Sequence, residues 1–143
     1  MKSYAERTIF HEVAQSIWAD AVRLVDRVSD RHGNEVRCHE LARAALSALC
    51  ASNQSMLEAC DVALSIVDGN LWAIEHTWLL YQWNSELVPK RFILDVYCPG
   101  RLPQVQLIDG SHFAIARGYE PGPVRTDIDH EMLATLLAEM TRR

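Results

Sequence analysis

Residues 62–81 read Val62-Ala63-Leu64-Ser65-Ile66-Val67-Asp68-Gly69-Asn70-Leu71-Trp72-Ala73-Ile74-Glu75-His76-Thr77-Trp78-Leu79-Leu80-Tyr81, and this stretch decides the fold class. Val62, Leu64 and Ile66 alternate toward Asp68-Gly69, a dipeptide suited to a tight reversal between strands. Leu71 to Tyr81 follows, dense in the aromatic and β-branched side chains that pack well on a pleated surface. The pattern predicts two strands joined across Asp68-Gly69. Phe92-Ile93-Leu94-Asp95-Val96-Tyr97 predicts a third strand and Gln104 to Ile108 a fourth, with Pro99, Gly100 and Pro103 punctuating the gap.

Upstream, the period changes to that of a helix. Ile9, Val13, Ile17, Ala21, Leu24 and Val28 recur at spacings of three and four over residues 5–29, while Arg23, Asp26 and Arg27 lie off that stripe. Arg31-His32-Gly33-Asn34 closes the segment, with Gly33 suited to the left-handed turn after a helix and Asn34 to capping the next one. A second helix is expected from Glu35 to Ala51, with Cys38, Leu41, Ala42, Ala45, Ala48 and Leu49 inward. Ser52-Asn53-Gln54 reads as a break, and Ser55-Met56-Leu57-Glu58 as a capping box that opens a short helix. Residues 110–128, carrying Gly110, Gly118, Pro121, Gly122 and Pro123, read as irregular, and 129–140 as a closing helix. Helices followed by a run of neighbouring strands mean an α+β fold: N-terminal helices packed on a mostly antiparallel sheet. No repeat or linker divides the 143 residues, a length that suits one domain.

The net charge of −5 argues against a basic face that would hold nucleic acid. No apolar run reaches the roughly 18 residues of a membrane span, and Met1-Lys2-Ser3-Tyr4-Ala5-Glu6-Arg7 lacks a secretory h-region, so a cytoplasmic protein is expected. In that compartment Cys38, Cys50, Cys60 and Cys98 stay thiols. With no CxxC pair and no HExxH, neither a structural zinc nor another metal or cofactor is expected.

Three residues stand out as chemistry. Cys38 lies in the first turn of a helix, where free backbone N–H groups and the helix dipole favour a thiolate. His76 shares a strand face with Ile74 and Trp78, and Asp95 lies between Ile93 and Tyr97 on the next strand. A carboxylate in an otherwise apolar strand is costly unless paired. If the strands are neighbours, Asp95 can hold one ring nitrogen of His76 and leave the other for the thiol: nucleophile, base and orienter. Taken singly, each residue has a structural explanation, since free cysteine is among the most buried residue types. His39, beside Cys38, is a rival base, but it should point about 100° away around the helix.

The stretch Arg37-Cys38-His39-Glu40-Leu41-Ala42-Arg43-Ala44 resembles the cysteine-bearing helix of transglutaminase-like proteins, a superfamily with a papain-like core. In that superfamily a Cys opens a helix with small inner residues, a His followed by an aromatic lies on a strand, and an Asp lies on the next strand. Here Val67-Asp68-Gly69 leads through Glu75-His76-Thr77-Trp78-Leu79 to Ile93-Leu94-Asp95-Val96 in the same order. The segment from Asp95 through Cys98-Pro99-Gly100-Arg101 to Leu107 is similar to small uncharacterised bacterial and phage proteins of this kind. The resemblance covers residues 34–108. It implies a Cys38–His76–Asp95 triad that transfers acyl groups from an amide or thioester of a peptide or protein, with the Cys38 N–H as half of an oxyanion hole. Water as acceptor gives a peptidase, amidase or deamidase, and an amine gives a transglutaminase. The alternative is an inactive relative of phage or plasmid origin, acting as a binding module or inhibitor.

Around the triad, Trp72, Trp78 and Trp83 bracket His76; they pack the sheet, or one of them, Trp78 foremost, walls a substrate cleft. Gln104 and Gln106 alternate with Val105 and Leu107 toward solvent, and Gln104 is a candidate contact for substrate or oxyanion. Arg101, between Gly100 and Pro103, is a candidate for a substrate carboxylate. Asp127, Asp129 and Glu131 lie where acids favour the dipole of the last helix, with no metal required.

Overall fold

The alternating segment folds into one long hairpin in a computed structural model that describes residues 4–32, 37–83, 91–97, 105–109, 118–125 and 130–141. Strand β1 (Val62–Leu71) runs antiparallel to β2 (Ile74–Trp83), from Val62 opposite Trp83 to Leu71 opposite Ile74. The reversal is Trp72-Ala73, both left-handed at φ 51° and 65°, as a two-residue hairpin turn requires. It is pinned from outside: the Trp72 N–H donates to the Gly118 carbonyl at 2.9 Å. The Trp72 ring covers Gly118, whose φ of 87° and lack of a side chain make room for it.

Asp68-Gly69, expected as the reversal, therefore lies inside β1. Gly69 serves a close approach instead. A Cβ there would collide with the Glu120 carbonyl and the Trp78 ring, so a side chain would force neighbouring backbone away from β1. That neighbour is β5 (Tyr119–Glu120), which with β6 (Val124–Arg125) pairs along β1, so residues expected as irregular contain two short strands. On the other side, β3 (Arg91–Asp95) pairs with β2, Leu94 opposite Leu79, and β4 (Gln106–Asp109) pairs with β3. The sheet order is β4-β3-β2-β1-β5, and the described pairings are antiparallel.

Helix α2 (Cys38–Ala59) packs on β1 and β2, and α1 (Tyr4–His32) and α3 (His130–Thr141) pack on α2. The expected break at Ser52-Asn53-Gln54 is absent, because α2 is continuous through it. Asn53 is buried and donates its amide to the Leu49 carbonyl at 2.9 Å and to Asp20 of α1 at 3.2 Å. A side chain bonded across the helix pair no longer competes for its own backbone, so its helix-breaking tendency is not expressed. Ser55-Met56-Leu57-Glu58 consequently lies mid-helix rather than at a cap. The N-cap is Arg37, in extended conformation; the candidate cap Asn34 lies outside the described residues.

The sheet buries both faces. Ile66, Leu79, Tyr81 and Leu94 join the helices in the larger core, and Trp83 packs there too. Val67, Trp78, Leu80, Ile93 and Ile108 form a second cluster with Tyr119. Trp18 of α1 ties the helical layer to the β4 end of the sheet through its indole N–H, 3.2 Å from the Val105 carbonyl. No described helix is long and apolar enough to cross a membrane.

Candidate active site

Helix α2 begins at Cys38, and its first backbone bond runs from the Leu41 N–H to the Arg37 carbonyl. The N–H groups of Cys38, His39 and Glu40 thus have no acceptor within the helix. The Cys38 side chain is half-buried, at the foot of a cleft of about 610 Å³ that His76 also lines. The thiol lies below its ordinary range because His76 hydrogen-bonds to the sulfur. Burial opposes this, while the Thr77 and His39 N–H groups and the imidazole's charge add to it.

His76 is 6% exposed, and its Nε2 is 2.7 Å from Asp95 Oδ2. That leaves Nδ1 as the nitrogen for the sulfur. Burial pushes the imidazole down, but hydrogen bonds and charge from Asp95 and Cys38 outweigh it and carry it up to about 9. Both shifts act in the direction of a thiolate–imidazolium pair.

Asp95 is fully buried at the end of β3, and each of its oxygens is used. Oδ1 accepts the Tyr97 N–H at 3.0 Å, and Oδ2 accepts the Tyr119 hydroxyl at 2.6 Å beside His76. Three donors make the burial of this charge tolerable and fix the imidazole plane. The structure thus places His76 between Asp95, to which it is hydrogen-bonded, and Cys38, with which it lines the cleft, the three coming from α2, β2 and β3.

Tyr119 was not singled out from sequence. It sits on a two-residue strand inside a Gly- and Pro-rich segment, too short for any periodicity to mark it. Its ring meets Trp78 edge-on at 5.1 Å. Removing its hydroxyl in Tyr119→Phe should lower stability by about 1.5–3 kcal/mol, the usual contribution of a hydrogen bond to a charged group. It should not lower the imidazole's affinity for its proton, because Asp95 loses a competing donor. Urea unfolding and a proton NMR titration of His76 check the two halves.

The other predicted contacts fare differently. Trp78 is 1% exposed and packed between Gly69, Tyr119 and the tilted ring of His76, so it supports the imidazole from below and offers a substrate no surface. Trp72 is 60% exposed at the hairpin tip and Trp83 is in the helix-side core, so neither brackets His76 as expected. Arg101, Gln104 and Cys98 lie outside the described residues. His39 is exposed, with its ring nearest Glu40. Cys50 and Cys60 are half-buried free thiols, and burial pushes Cys50 up.

Beside the triad, Asp68 forms a second polar knot. Its Oδ1 accepts the Thr77 hydroxyl at 2.8 Å, and its Oδ2 takes Arg125 Nε at 3.0 Å and an Arg43 Nη at 3.3 Å. Burial pushes this carboxyl up, and those three partners more than offset it, holding it below the usual carboxylate range. Comparison with protein-family models, curated proteins and solved structures gives no match. The reading of the site therefore rests on its geometry. Among the described residues no group of three or more His, Cys, Asp and Glu is placed to hold a metal ion.

Proposed function

We propose that this chain is a cysteine-dependent acyl-transfer enzyme built on a transglutaminase-like, papain-related core. The observation that carries the reading is the buried His76–Asp95 hydrogen bond beside Cys38, with sulfur and imidazole lining one cleft and the carboxylate fully buried. The placement of these residues at a helix start, on a hairpin strand and on the strand beside it supports the same assignment.

In this mechanism Cys38 Sγ attacks the acyl carbon of an amide or thioester. An S–C bond forms and the carbonyl π pair moves to oxygen. The Cys38 N–H, free of any helical acceptor, is one donor for that oxyanion. On collapse the leaving amine or thiol departs with the proton from His76 Nδ1, leaving a thioester on Cys38. A water or amine then attacks the thioester, returns a proton to His76 and releases the sulfur as thiolate. Asp95 holds the ring throughout and stabilises the imidazolium.

The test uses p-nitrophenyl acetate as an activated acyl donor. A burst of nitrophenolate with acetyl mass on the Cys38 peptide is expected, absent in Cys38→Ala and slowed at least tenfold in His76→Ala. Acetylation spread over Cys50 and Cys60 instead, or indifferent to His76, would leave a non-catalytic binding module of the same fold as the better reading.

A further inference from the structure

The cleft above Cys38 is lined by three arginines, Arg37, Arg43 and Arg125, against two acids, Asp68 and Glu75. Glu75 is an exposed residue of β2. Asp68 is already engaged by Thr77, Arg43 and Arg125. Arg43 is a brace, with one Nη on the His39 carbonyl at 3.2 Å and the other on Asp68. Arg125 touches Asp68 through Nε alone, and its side chain is 52% exposed. Among the described residues its two Nη groups have no acceptor, and neither has the guanidinium of Arg37, the residue before the nucleophile. The lining therefore sets three guanidinium groups against two carboxylates, and among the described residues two of those forks are uncommitted. A fork of this kind matches a carboxylate.

Resting on the reading of Cys38 as an acyl-accepting nucleophile, we propose that the acyl donor is a peptide with a carboxylate beside the scissile carbonyl, held by Arg125 and Arg37. The carboxylate is a side chain or a chain terminus. It anchors the donor so that its carbonyl lies over Sγ, and the bonds made and broken are those of the acyl transfer above. Asp68 sets the orientation of Arg125 and tempers the positive charge.

Iodoacetate and iodoacetamide test this directly. Both form an Sγ–CH2 bond with loss of iodide and are nearly the same size, but only iodoacetate carries a charge. The ratio of iodoacetate to iodoacetamide rate constants at Cys38 should fall about fivefold in Arg125→Gln and further when Arg37→Gln is added, the scale of one close charge pair in solvent. It should rise in Asp68→Asn and decline with salt in the unaltered protein. The iodoacetamide rate of each variant reports that its site is intact; where a variant fails to fold, the salt dependence decides. A ratio unmoved by these changes, with iodoacetamide labelling still fast and dependent on His76, overturns the carboxylate proposal and leaves the nucleophile standing. Iodoacetamide labelling that is slow and indifferent to His76 removes both. A blocked, amidated peptide with an internal Glu, and one with Gln there and a free C-terminal carboxylate, separate the two sources. Whichever protects Cys38 from iodoacetamide at millimolar concentration names the source, and protection by neither overturns the proposal.

Discussion

In His76→Ala, alkylation of Cys38 by iodoacetamide near neutral pH should be about tenfold slower or more. The change removes the hydrogen bond and the charge that do most to lower the thiol, leaving burial opposed only by the Thr77 and His39 N–H groups. The thiolate fraction near neutral pH therefore falls, partly offset because a more basic thiolate is the better nucleophile. The parent profile should rise at a lower pH than the variant's and change again at about pH 9, where His76 loses its proton. The variant should climb only through the alkaline range. Peptide mass spectrometry of the Cys38 peptide reads both, and a variant profile superimposable on the parent's would refute an activated pair.

The same pair sets a pattern in stability. His76, raised to about 9, favours the folded state fully below its unfolded value of 6.5, and that contribution is lost as pH rises through about 9. Cys38, lowered from 9.0, contributes above 9.0, and its contribution is lost as pH falls through its folded value. Above the folded thiol's own pKa and up to about 9, the folded pair holds one proton on nitrogen, while the unfolded pair above 6.5 holds one on sulfur. Where both conditions hold the two slopes cancel, and the pair's contribution declines on the acid side of that window. Urea unfolding of the parent and of Cys38→Ala over that range isolates the effect.

Asp95→Ala should lower stability by about 3–5 kcal/mol, the largest loss expected from one substitution at the site. It strands a cationic imidazole, a hydroxyl and a backbone N–H in a buried place, and breaking a buried charge pair one-sidedly has this cost. Asp95→Asn, which keeps the volume, should lose less stability but equally lower the His76 pKa from about 9. Measured by urea unfolding at unchanged m-value and by NMR titration, the two variants separate packing from charge. A neutral Asp95→Ala would mean that the carboxylate is not engaged as described.

The α+β class was legible because two periodicities, three-and-four in Ile9 to Val28 and two in Val62 to Ile66, meet at one boundary. Cys38, His76 and Asp95 could be picked out because each is a reactive or charged group on an otherwise apolar pattern. The hairpin turn was misplaced by local turn chemistry. Asp68-Gly69 is a good reversal in isolation, but Gly69 is there for the approach of Glu120, a contact made only after folding. Trp72-Ala73 reverses the chain although neither residue favours a left-handed backbone. The pull of Gly118 on Trp72, far along the chain, overrides that preference. Tyr119, Arg43 and Arg125 were invisible for a related reason. Their roles depend on which strand lies beside β1, and nothing in their own neighbourhood records that.

The reactive line is assembled from residues that emerge in order during synthesis: sulfur first, then imidazole, then carboxylate, with the Tyr119 hydroxyl last. Until β3 pairs with β2, Asp95 is not in place to hold the ring. Under the proposed reading, nucleophilic power is thus a property of the finished molecule rather than of the helix that carries the sulfur.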